Sequence, residues 1–492
     1  MQKIYFYITT PLYRLNGRPH LGHAYTTLAA DALARHKRAR QVPVFFQTGT
    51  SEHGADIEKT AADLKMDTRA WCDAGAGDFK RLWRVLNVNY DHFTRTTDQD
   101  HEQRAQSVFA QLLKTGDIYP GSYSGFRCRI CGAVFEEGEL RDGNCPAHGA
   151  PVKKVSEDAY FFRLSKFREL LLKHYAGNPD FLAPRSRARD IIAFVKFGLN
   201  DIPVSGKKSA WGIKTPSDPS QTLHAWFDAL LSYATGPGFG DAEKADAFQM
   251  KWPADLHLAG KEAFLFHAVI WPAVLTALGL ELPRQVFAHG WWTAGGEKMS
   301  GAAGNAIDPE TAAQEYGADA LRYFLFREAR FGADADFSME RFRRRYNAEL
   351  ADGLGDLLFR VLDMSAKYLD NRLPGRPENA KLFEALSADG PEIDGLIDAL
   401  RFDAALARIW RAVSALNKAI DRQKPWEMAA EDRDSVRPFI HDLVWCLRAI
   451  AGWIYPFMPD TSTRMQLALS VGRTGTEGLE IPKPLRLFPR KQ

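Results

Sequence analysis

The opening stretch of the chain decides the fold. It reads KIYFYITT at residues 3–10, LGHAYTTLAADALARHKRAR at 21–40 and VPVFFQT at 42–48. The first and third segments are rich in aromatic and β-branched residues, which predicts two strands, with Pro11 ending the first. The middle segment has alanine and leucine on one face and basic residues at its C-terminal end, which predicts a helix. A strand, a helix and a strand in this order indicate a βαβ unit and therefore a parallel α/β sheet.

The composition is that of an ordinary globular protein. Of the 492 residues, 45% are hydrophobic and 25% charged, enough for roughly two to four domains with buried cores. The 64 basic and 61 acidic residues nearly cancel, which excludes a histone-like polycation. Five cysteines are too few for a disulfide scaffold, and no signal peptide is expected, so the sequence predicts a reducing, cytoplasmic compartment. The most apolar stretch, residues 264–282, contains His267 and Pro272, which favours a buried core helix over a membrane span.

The chain divides into four predicted regions. Sheet and helix patterns occupy residues 1–116 and return at 223–333, where QVFAHGWW at 285–292 predicts another inner strand. Between them, residues 117–222 are predicted to form an insertion. Residues 334–492 have the pattern of long amphipathic helices. The predicted architecture is an α/β domain with an insertion, followed by an α-helical domain.

Two histidines stand where the first strand leads into the first helix. His20 and His23 flank Gly22 in the segment HLGH. In a parallel sheet this point belongs to the ligand-binding edge, and the N–H groups of a helix N-terminus attract a phosphate. Histidines three residues apart on the first helical turn are able to reach one anion, although two surface histidines would give the same pattern. The GxGxxG fingerprint of dehydrogenases is absent.

A second candidate segment follows the strand at residues 285–292. Lys298, Met299 and Ser300 lie in the glycine-rich stretch GGEKMSGAAGN. A lysine in a mobile loop beside the edge of a sheet suits neutralisation of a phosphoryl group in transfer. An ordinary surface loop with one lysine is the alternative.

Three cysteines and a histidine form a candidate metal site. They stand as CRIC, thirteen residues, then CPAH, at Cys128, Cys131, Cys145 and His148. Two such pairs separated by a hairpin-sized gap are able to close a tetrahedron around Zn²⁺. Because four protein ligands leave no open position, the predicted zinc is structural and holds a knuckle over residues 126–150.

HLGH and KMS together form a far more specific pattern than either segment alone. The pair resembles the class I aminoacyl-tRNA synthetases. The segments TTPLYRLNGRPHLGHAYTTLAAD, AWFDALLSY, HLAGKEAFLFHAVIWPA, FAHGWWTAGGEKMS and KPW narrow the resemblance to the methionyl-tRNA synthetase family, over nearly the whole chain. The resemblance implies a Rossmann-type α/β catalytic domain, a connective insertion with a zinc knuckle, and an α-helical anticodon-binding bundle. It also implies that an amino acid reacts with ATP and Mg²⁺ to give an aminoacyl-adenylate and pyrophosphate.

The resemblance assigns roles to residues of the nucleotide site. His20 and His23 would steady the phosphates during attack by the substrate carboxylate, and Lys298 would steady the departing pyrophosphate. The implied ATP-binding set also contains Gly22, Met299 and Ser300.

The resemblance also places a pocket for the substrate side chain. Its matching positions are Tyr13, Trp226, Ala229, Leu230, Tyr233, His267 and Trp271, and Ser51 and Lys261 belong to the same amino-acid site. The four that lie between residues 226 and 233 share one face of a helix, at i, i+3, i+4 and i+7. An aromatic slot with one imidazole suits a flexible, polarizable or long aliphatic side chain. Core packing is the alternative for each residue taken singly.

Several positions of the implied catalytic domain depart from the family pattern. GTSEHG replaces GTDEHG, so Ser51 removes a carboxylate that faces the substrate ammonium in relatives. KMSGA replaces KMSKS, so Gly301 removes a lysine. Gly206 stands where the family has an arginine, and GKE replaces GKD at residues 260–262.

The implied anticodon-binding set departs as well. LGDLLFR replaces LGNLLSR, which puts Asp356 beside the retained Arg360, while Trp426 remains in KPW. A carboxylate next to an RNA base and its phosphates is electrostatically unfavourable.

The departures predict a diverged paralogue. It would activate an amino acid and pass it to a small-molecule acceptor, such as an N-hydroxylated amine of a hydrazine-type natural-product pathway, with a separate partner enzyme such as a cupin. The first alternative is a genuine methionyl-tRNA synthetase that charges tRNA with methionine. The second is a catalytically silent RNA-binding or regulatory homologue, in which the basic run at residues 341–345 contacts RNA. No membrane partner is expected.

Overall fold

The computed structural model describes residues 2–128, 134–135, 137–146, 149–207, 209–299, 307–369, 380–469 and 485–492. The strands in chain order are β1 Phe6–Arg14, β2 Val44–Ser51, β3 His92–Arg95, β4 Ile118–Cys128, β5 Val134–Phe135, β6 Val152–Phe162, β7 Leu182–Ala183, β8 Ile202–Pro203, β9 Ser205–Gly206, β10 Thr222–Leu223, β11 Leu256–Gly260, β12 Gln285–His289, β13 Trp292–Ala294, β14 Glu297–Lys298 and β15 Ala335–Phe337.

The α-helices in chain order are α1 Leu21–Ala39, α2 Ala55–Asp63, α3 Thr68–Val85, α4 Gln99–Thr115, α5 Arg168–Gly177, α6 Arg185–Phe197, α7 Ala225–Thr235, α8 Ala245–Lys251, α9 Trp271–Ala277, α10 Pro309–Tyr316, α11 Ala318–Glu328, α12 Met339–Arg345, α13 Asp356–Tyr368, α14 Lys381–Ser387, α15 Gly390–Asp398, α16 Phe402–Gln423, α17 Pro425–Glu431, α18 Arg437–Ile454 and α19 Pro459–Ala468. Short 3₁₀ turns cover Glu137–Glu139, Leu164–Phe167, Ala242–Lys244 and Lys261–Ala263, and π-helical segments cover Phe266–Ile270 and Tyr346–Gly355.

Six strands form the main sheet in the order β3-β2-β1-β11-β12-β7. The pairs β1·β11, β2·β3 and β12·β7 run parallel, which confirms the α/β core predicted from the sequence. The first strand continues to Arg14, so the predicted stop at Pro11 is wrong. β11 pairs with β1 at Ile8 and Thr9, before the proline, so the missing N–H does not interrupt that ladder.

Two compact units share the chain. The first contains Met1–Arg18, Phe45–Gly77 and Asp91–Ala288, and the second contains Pro19–Val44, Asp78–Tyr90 and His289–Gln492. The chain therefore passes into the second unit directly before HLGH. The region boundaries inferred from the sequence at residues 116, 222 and 333 stay a prediction.

The first unit is built around a hydrophobic core. Tyr7 of β1 and Val286 of β12 belong to it, together with Phe109 of α4, Leu230 of α7 and Val274 of α9. These helices form because each carries an apolar stripe that is buried in this core. The apolar stretch at residues 264–282 supplies a π-helical segment and α9, and much of it is buried in the same core.

A four-stranded antiparallel sheet, ordered β5-β4-β6-β8, belongs to the same unit. β4 and β6 pair continuously from Ile118 with Phe162 to Cys128 with Val152. The two strands form a long arm, and the predicted knuckle lies at its far end.

Helices dominate the second unit after residue 307. Among the described residues the last helix ends at Ala468, and the helices before it confirm the predicted helical C-terminal region. Within the described ranges, no helix combines the length and the apolar character that a membrane crossing requires.

A buried ion pair connects α1 to the C-terminal helices inside this unit. The guanidinium of Arg322, fully buried on α11, donates to Asp31 of α1 at 2.6 Å. It also donates to the carbonyl oxygens of Pro456 and Phe457, each at 2.9 Å. These hydrogen bonds connect the middle of α1 to the turn that precedes α19. Removing either charged residue of the pair would leave the other charge buried without a partner, which is strongly destabilising.

Candidate active site

The HLGH segment forms the N-terminus of α1. His20 is the N-cap, and its Nδ1 accepts a hydrogen bond from the Gly22 N–H at 3.1 Å. His23 accepts at Nδ1 from the His20 N–H at 3.2 Å, and the two rings stack with centroids 3.8 Å apart. Gly22 leaves room for this arrangement, because a Cβ there would lie 3.0 Å from the His20 ring.

These hydrogen bonds fix which ring nitrogen carries the proton. Because Nδ1 is the acceptor in both rings, the neutral imidazoles carry their protons on Nε2 and present N–H donors. Burial and the neighbouring His20 hold the pKa of His23 well below its ordinary value, so His23 is neutral at pH 7. N–H donors at a helix N-terminus suit the oxygen atoms of a phosphate.

The KMS segment begins in a β-hairpin. β13 and β14 pair antiparallel across a two-residue turn formed by Gly295 and Gly296. Both glycines have positive φ, 63° and 80°, as a type I′ turn requires. The Lys298 backbone therefore lies in a strand, whereas the sequence predicted a mobile loop, and Met299 after it is buried.

Within the second unit, α1 is bonded to chain segments on both sides of KMS. The Leu21 N–H donates to the Ile307 carbonyl at 3.3 Å, and Thr26 Oγ1 is bonded to His289 Nε2 at 2.6 Å. His289 precedes the KMS segment in the chain, and Ile307 follows it. Outside the described part of the chain lie the Lys298 side chain, Ser300 and Gly301.

An aromatic cluster in the first unit surrounds Tyr233 of α7. Its ring centroid lies 4.8 Å from that of His257, 5.4 Å from that of His267 and 5.9 Å from that of Trp271. Burial, with a contribution from Tyr13, raises the pKa of the Tyr233 hydroxyl. His257 is the member that the sequence did not single out, although it lies in the segment HLAGKEAFLFH.

The other predicted pocket residues lie on β1 and α7. Tyr13 and Leu230 are buried, and Trp226 and Ala229 are half-buried. The i, i+3, i+4, i+7 spacing therefore belongs to an observed helix, α7.

Burial keeps both histidines of the Tyr233 cluster, His257 and His267, in the neutral form. His267 donates from Nδ1 to the Ala263 carbonyl at 2.8 Å, so its Nε2 accepts from the Tyr233 hydroxyl at 2.8 Å. Burial lowers the pKa of His267 to about 4. His257 accepts at Nε2 from the Trp271 N–H at 3.2 Å, and burial and His267 hold its pKa well below its usual range. These side chains are uncharged at neutral pH, which suits an uncharged substrate side chain.

Ser51 ends β2 and is buried. The carboxylate next to it in the sequence, Glu52, accepts two hydrogen bonds from Arg95, at 2.8 and 2.9 Å, and one from Thr50 at 2.6 Å. Its charge is already balanced by the Arg95 guanidinium, so Glu52 does not supply the carboxylate that Ser51 lacks.

The opposite face of α7 carries a charged network that the sequence analysis missed. Asp228 is buried between two histidines, 2.8 Å from His53 Nδ1 and 2.6 Å from His101 Nε2. Burial would lower the pKa of His53, but Asp228 and Glu102 raise it to about 9. Burial would raise the pKa of Asp228, but the two histidines lower it. GTSEHG and AWFDALLSY contain two of these residues, yet His53 and Asp228 are 175 positions apart, and no spacing pattern reports such a pair.

Comparison with known proteins finds a matching family and relatives along nearly the whole chain. Residues 6–129 and 122–362 match the family described as tRNA synthetases class I (M). The methionine–tRNA ligase of Caldanaerobacter subterraneus subsp. tengcongensis is 44% identical over 96% of this chain and 76% of its own length. That of Thermotoga maritima is 40% identical over 93% and 74%. The structure of Mycobacterium tuberculosis methionyl-tRNA synthetase in complex with methionyl-adenylate has a TM-score of 0.92 and 38% identity, with 100% of both chains covered.

The chain belongs to the methionyl-tRNA synthetase family. It is accordingly an ATP-dependent amino-acid adenylating ligase of the class I aminoacyl-tRNA synthetase type.

Two positions of the synthetase pattern border the elements of the pocket. Lys261 opens the 3₁₀ turn that follows β11. Gly206 lies in β9, and a Cβ at this position would lie 3.1 Å from Nε2 of His224, the N-cap of α7. The arginine that the family carries at this position would therefore require the His224 ring to move.

The segment predicted to form a zinc knuckle is described in part. Cys145 is buried in a tight turn, with its N–H bonded to the Ala150 carbonyl at 2.9 Å and the Gly149 N–H bonded back to the Cys145 carbonyl at 2.8 Å. Gly149 has a φ of 62°, which this turn needs. A buried thiol inside such a turn fits a zinc ligand. Cys131, His148 and the side chain of Cys128 lie outside the described residues. Within the described residues, no group of three or more His, Cys, Asp or Glu side chains is arranged to hold a metal ion.

The implied anticodon-binding residues lie in the second unit. Asp356 and Arg360, both on α13, line a groove of about 580 Å³ with Asp421 of α16. Arg360 donates to Asp421 at 2.7 Å and lies 3.9 Å from Asp356. Trp426 of α17 is 48% exposed. Two carboxylates thus offset the charge of Arg360 in this groove.

Proposed function

We propose that this protein attaches methionine to tRNA in two steps, activation by ATP and transfer to the RNA. The observation that carries the proposal is the uncharged aromatic cluster around Tyr233. Methionine is long, flexible and uncharged, and its thioether packs favourably against aromatic rings. The similarity to methionine–tRNA ligases along nearly the whole chain supports the same substrate.

The first step is an in-line attack of the methionine carboxylate on the α-phosphorus of ATP, which forms methionyl-adenylate and releases pyrophosphate. The Nε2–H groups of His20 and His23 donate to phosphate oxygens, and the Lys298 ammonium neutralises the leaving pyrophosphate. Mg²⁺ bound with ATP supplies further positive charge to the phosphates. In the second step, a hydroxyl of the RNA attacks the adenylate carbonyl and AMP leaves.

The proposal includes a structural zinc held by Cys128, Cys131, Cys145 and His148, which stabilises the knuckle and takes no part in the reaction. It also includes the cytoplasm as the compartment, which the small number of cysteines supports.

Two assays test the two steps separately: methionine-dependent exchange of pyrophosphate into ATP, and charging of tRNA. His23→Ala and Lys298→Ala are each expected to lower exchange by about a hundredfold or more, because each removes a group that stabilises the transferring phosphates. Thermal unfolding should be unchanged. His441→Ala and Lys367→Ala, on the C-terminal helices, are the matched controls. Wild-type exchange rates in both active-site variants would refute the proposed site.

Two observations favour a second candidate function, transfer of the activated amino acid to a small-molecule amine. Ser51 lacks the carboxylate of relatives, and Asp356 adds a negative charge to the groove in which RNA would bind. The similar proteins support tRNA as the acceptor better, and they give no support to a cupin partner. Exchange without charging of tRNA, together with product formation from an N-hydroxylated amine, would favour the second candidate. A catalytically silent homologue would show no exchange.

Ser51→Asp restores the missing carboxylate. If the substrate ammonium is bound beside Ser51, we expect the KM for methionine in the exchange assay to fall about tenfold, because a charge-assisted hydrogen bond is roughly twice as strong as a neutral one. Ser156→Asp, at an exposed position of β6, should leave this KM unchanged. An unaltered KM in Ser51→Asp would mean that the ammonium is bound elsewhere.

A further inference from the structure

Helix α6 exposes aromatic side chains. Its inner face is already buried in the core of the first unit through Ile191 and Val195. Phe197, however, is 97% exposed and Phe194 is 47% exposed. Phenylalanine is among the residues most often buried, so two exposed rings three positions apart on one helix need an explanation other than folding.

The turn that carries these rings is fixed in place. Arg168, the first residue of α5, donates to the carbonyl of Val195 at 3.1 Å and to that of Lys196 at 2.6 Å. Gly198 ends the helix directly after Phe197, and Leu199 is buried again. The exposed rings therefore stand on an anchored backbone.

The same helix is strongly basic. Its charged residues are Arg185, Arg187, Arg189 and Lys196 against one carboxylate, Asp190. Arg185, Arg189 and Lys196 are exposed and follow one line along the helix, at i, i+4 and i+11. At about 100° per residue, Phe197 lies roughly a quarter turn round the helix from Lys196, so the exposed surface of α6 carries the basic line and, beside it, the two rings.

We propose that this outer face of α6 binds unpaired RNA. Bases stack on exposed aromatic rings, and basic side chains beside the rings attract the phosphates. Charge favours RNA over a second copy of this chain, because two copies of one basic face repel each other. The inference rests on the proposed function, in which tRNA is the acceptor, and it assigns this face to the single-stranded end of that RNA.

A direct binding measurement tests the proposal without reference to catalysis. The probe is a short, fluorescently labelled single-stranded RNA, followed by anisotropy. The double variant Phe194→Ala/Phe197→Ala is expected to bind it about tenfold more weakly or worse, and Phe197→Trp to retain binding because it keeps an aromatic ring. Leu467→Ala, which removes a 63% exposed apolar side chain on α19, is the matched control and should bind as the wild type does.

Charge variants and catalysis give two further readouts. Arg189→Gln/Lys196→Gln should reduce the slope of log affinity against log salt by about one to two, as expected when two phosphate contacts are lost. The double phenylalanine variant should charge tRNA with a kcat/KM about tenfold lower while pyrophosphate exchange is unchanged, since that step needs no RNA.

Three outcomes would overturn this assignment. They are unchanged RNA binding in the double phenylalanine variant, unchanged salt dependence in the charge variant, and a wild-type dimer in sedimentation that the double phenylalanine variant dissociates. Failure of the proposed function would give a different result. The wild-type protein would then show neither pyrophosphate exchange nor charging of tRNA, whatever the RNA affinities of the α6 variants.

Discussion

The two faces of α7 impose opposite charge states on buried histidines. On the Tyr233 face, His267 has a hydroxyl and a carbonyl as partners, and burial lowers its pKa to about 4. On the Asp228 face, His53 is as well buried, but the carboxylates of Asp228 and Glu102 raise its pKa to about 9. Burial alone therefore does not determine the charge of a histidine. The partner within hydrogen-bonding distance does.

The different charge states indicate different roles for the two faces of this short helix. The neutral face carries the aromatic cluster that we propose to hold the substrate side chain. The ionic face connects the end of β2, through His53, to α4, through His101, with Asp228 between them. We interpret the ionic face as the support that holds the neutral face in position.

The largest expected effect comes from breaking the ionic face. Asp228→Asn removes the buried carboxylate that pairs with His53 and leaves it only the partly exposed Glu102, so we expect the free energy of unfolding to fall by about 3–5 kcal/mol at pH 7. Urea unfolding measures it. Asp246→Asn, at an exposed position of α8, should change stability by less than about 0.5 kcal/mol. Equal stability of the two variants would show that the network contributes no more than a surface charge.

A smaller effect is expected on the neutral face. Tyr233→Phe leaves His267 Nε2 without its donor and should raise the KM for methionine in pyrophosphate exchange by about tenfold. Tyr175→Phe is the matched control, because this buried hydroxyl donates at 2.8 Å to a backbone carbonyl, that of Ala268, and not to a side chain of the Tyr233 cluster. A similar loss of stability in both variants, with KM raised only in the first, is the expected result. Equal KM values would assign Tyr233 to core packing.

The most gradual effects are expected from pH. The pKa of His53 is raised above the unfolded value, so its stabilisation is complete below about pH 6.5 and is lost as pH rises through about 9. The pKa of His267 is lowered, so stability falls as pH drops from about 6.5 towards 4, where the unfolded chain binds the proton first. Each histidine changes the free energy of unfolding by at most about 1.4 kcal/mol per pH unit.

Unfolding midpoints between pH 4 and 10 measure both slopes. His53→Gln should remove part of the decline at high pH, and His267→Gln part of the decline at low pH. Identical pH profiles for His53→Gln and the wild type would contradict the raised pKa of His53.

Features that a short stretch of sequence specifies could be predicted from the sequence. The aromatic and β-branched runs around HLGH predicted the parallel α/β core, and amphipathic spacing predicted the helical C-terminal region, which the structure confirms. The spacing from Trp226 to Tyr233 predicted a shared face of one helix, and α7, Ala225–Thr235, contains all of these positions. The roles of the site residues stay predictions.

Features that depend on residues far apart in the chain could not be predicted from a local sequence pattern. His53 and Asp228 are 175 positions apart, and a spacing pattern does not link them. The tautomers of His20 and His23 depend on backbone N–H groups that only the folded helix N-terminus orients. The hairpin at Lys298 did have a local signal, the adjacent pair Gly295 and Gly296, which is typical of a type I′ turn.

The ion pair of Arg322 with Asp31 limits how this chain could have been assembled in evolution. The helix that begins with His20 has at its middle a carboxylate, Asp31, whose partner Arg322 also donates to the carbonyls of Pro456 and Phe457, far along the chain. A gene fusion that exchanged the late helices for those of another protein would have to recreate two carbonyl acceptors at the same point. Without them, the buried guanidinium would lose two of its hydrogen-bond acceptors, so the helix that begins with His20 and the late helices depend on each other.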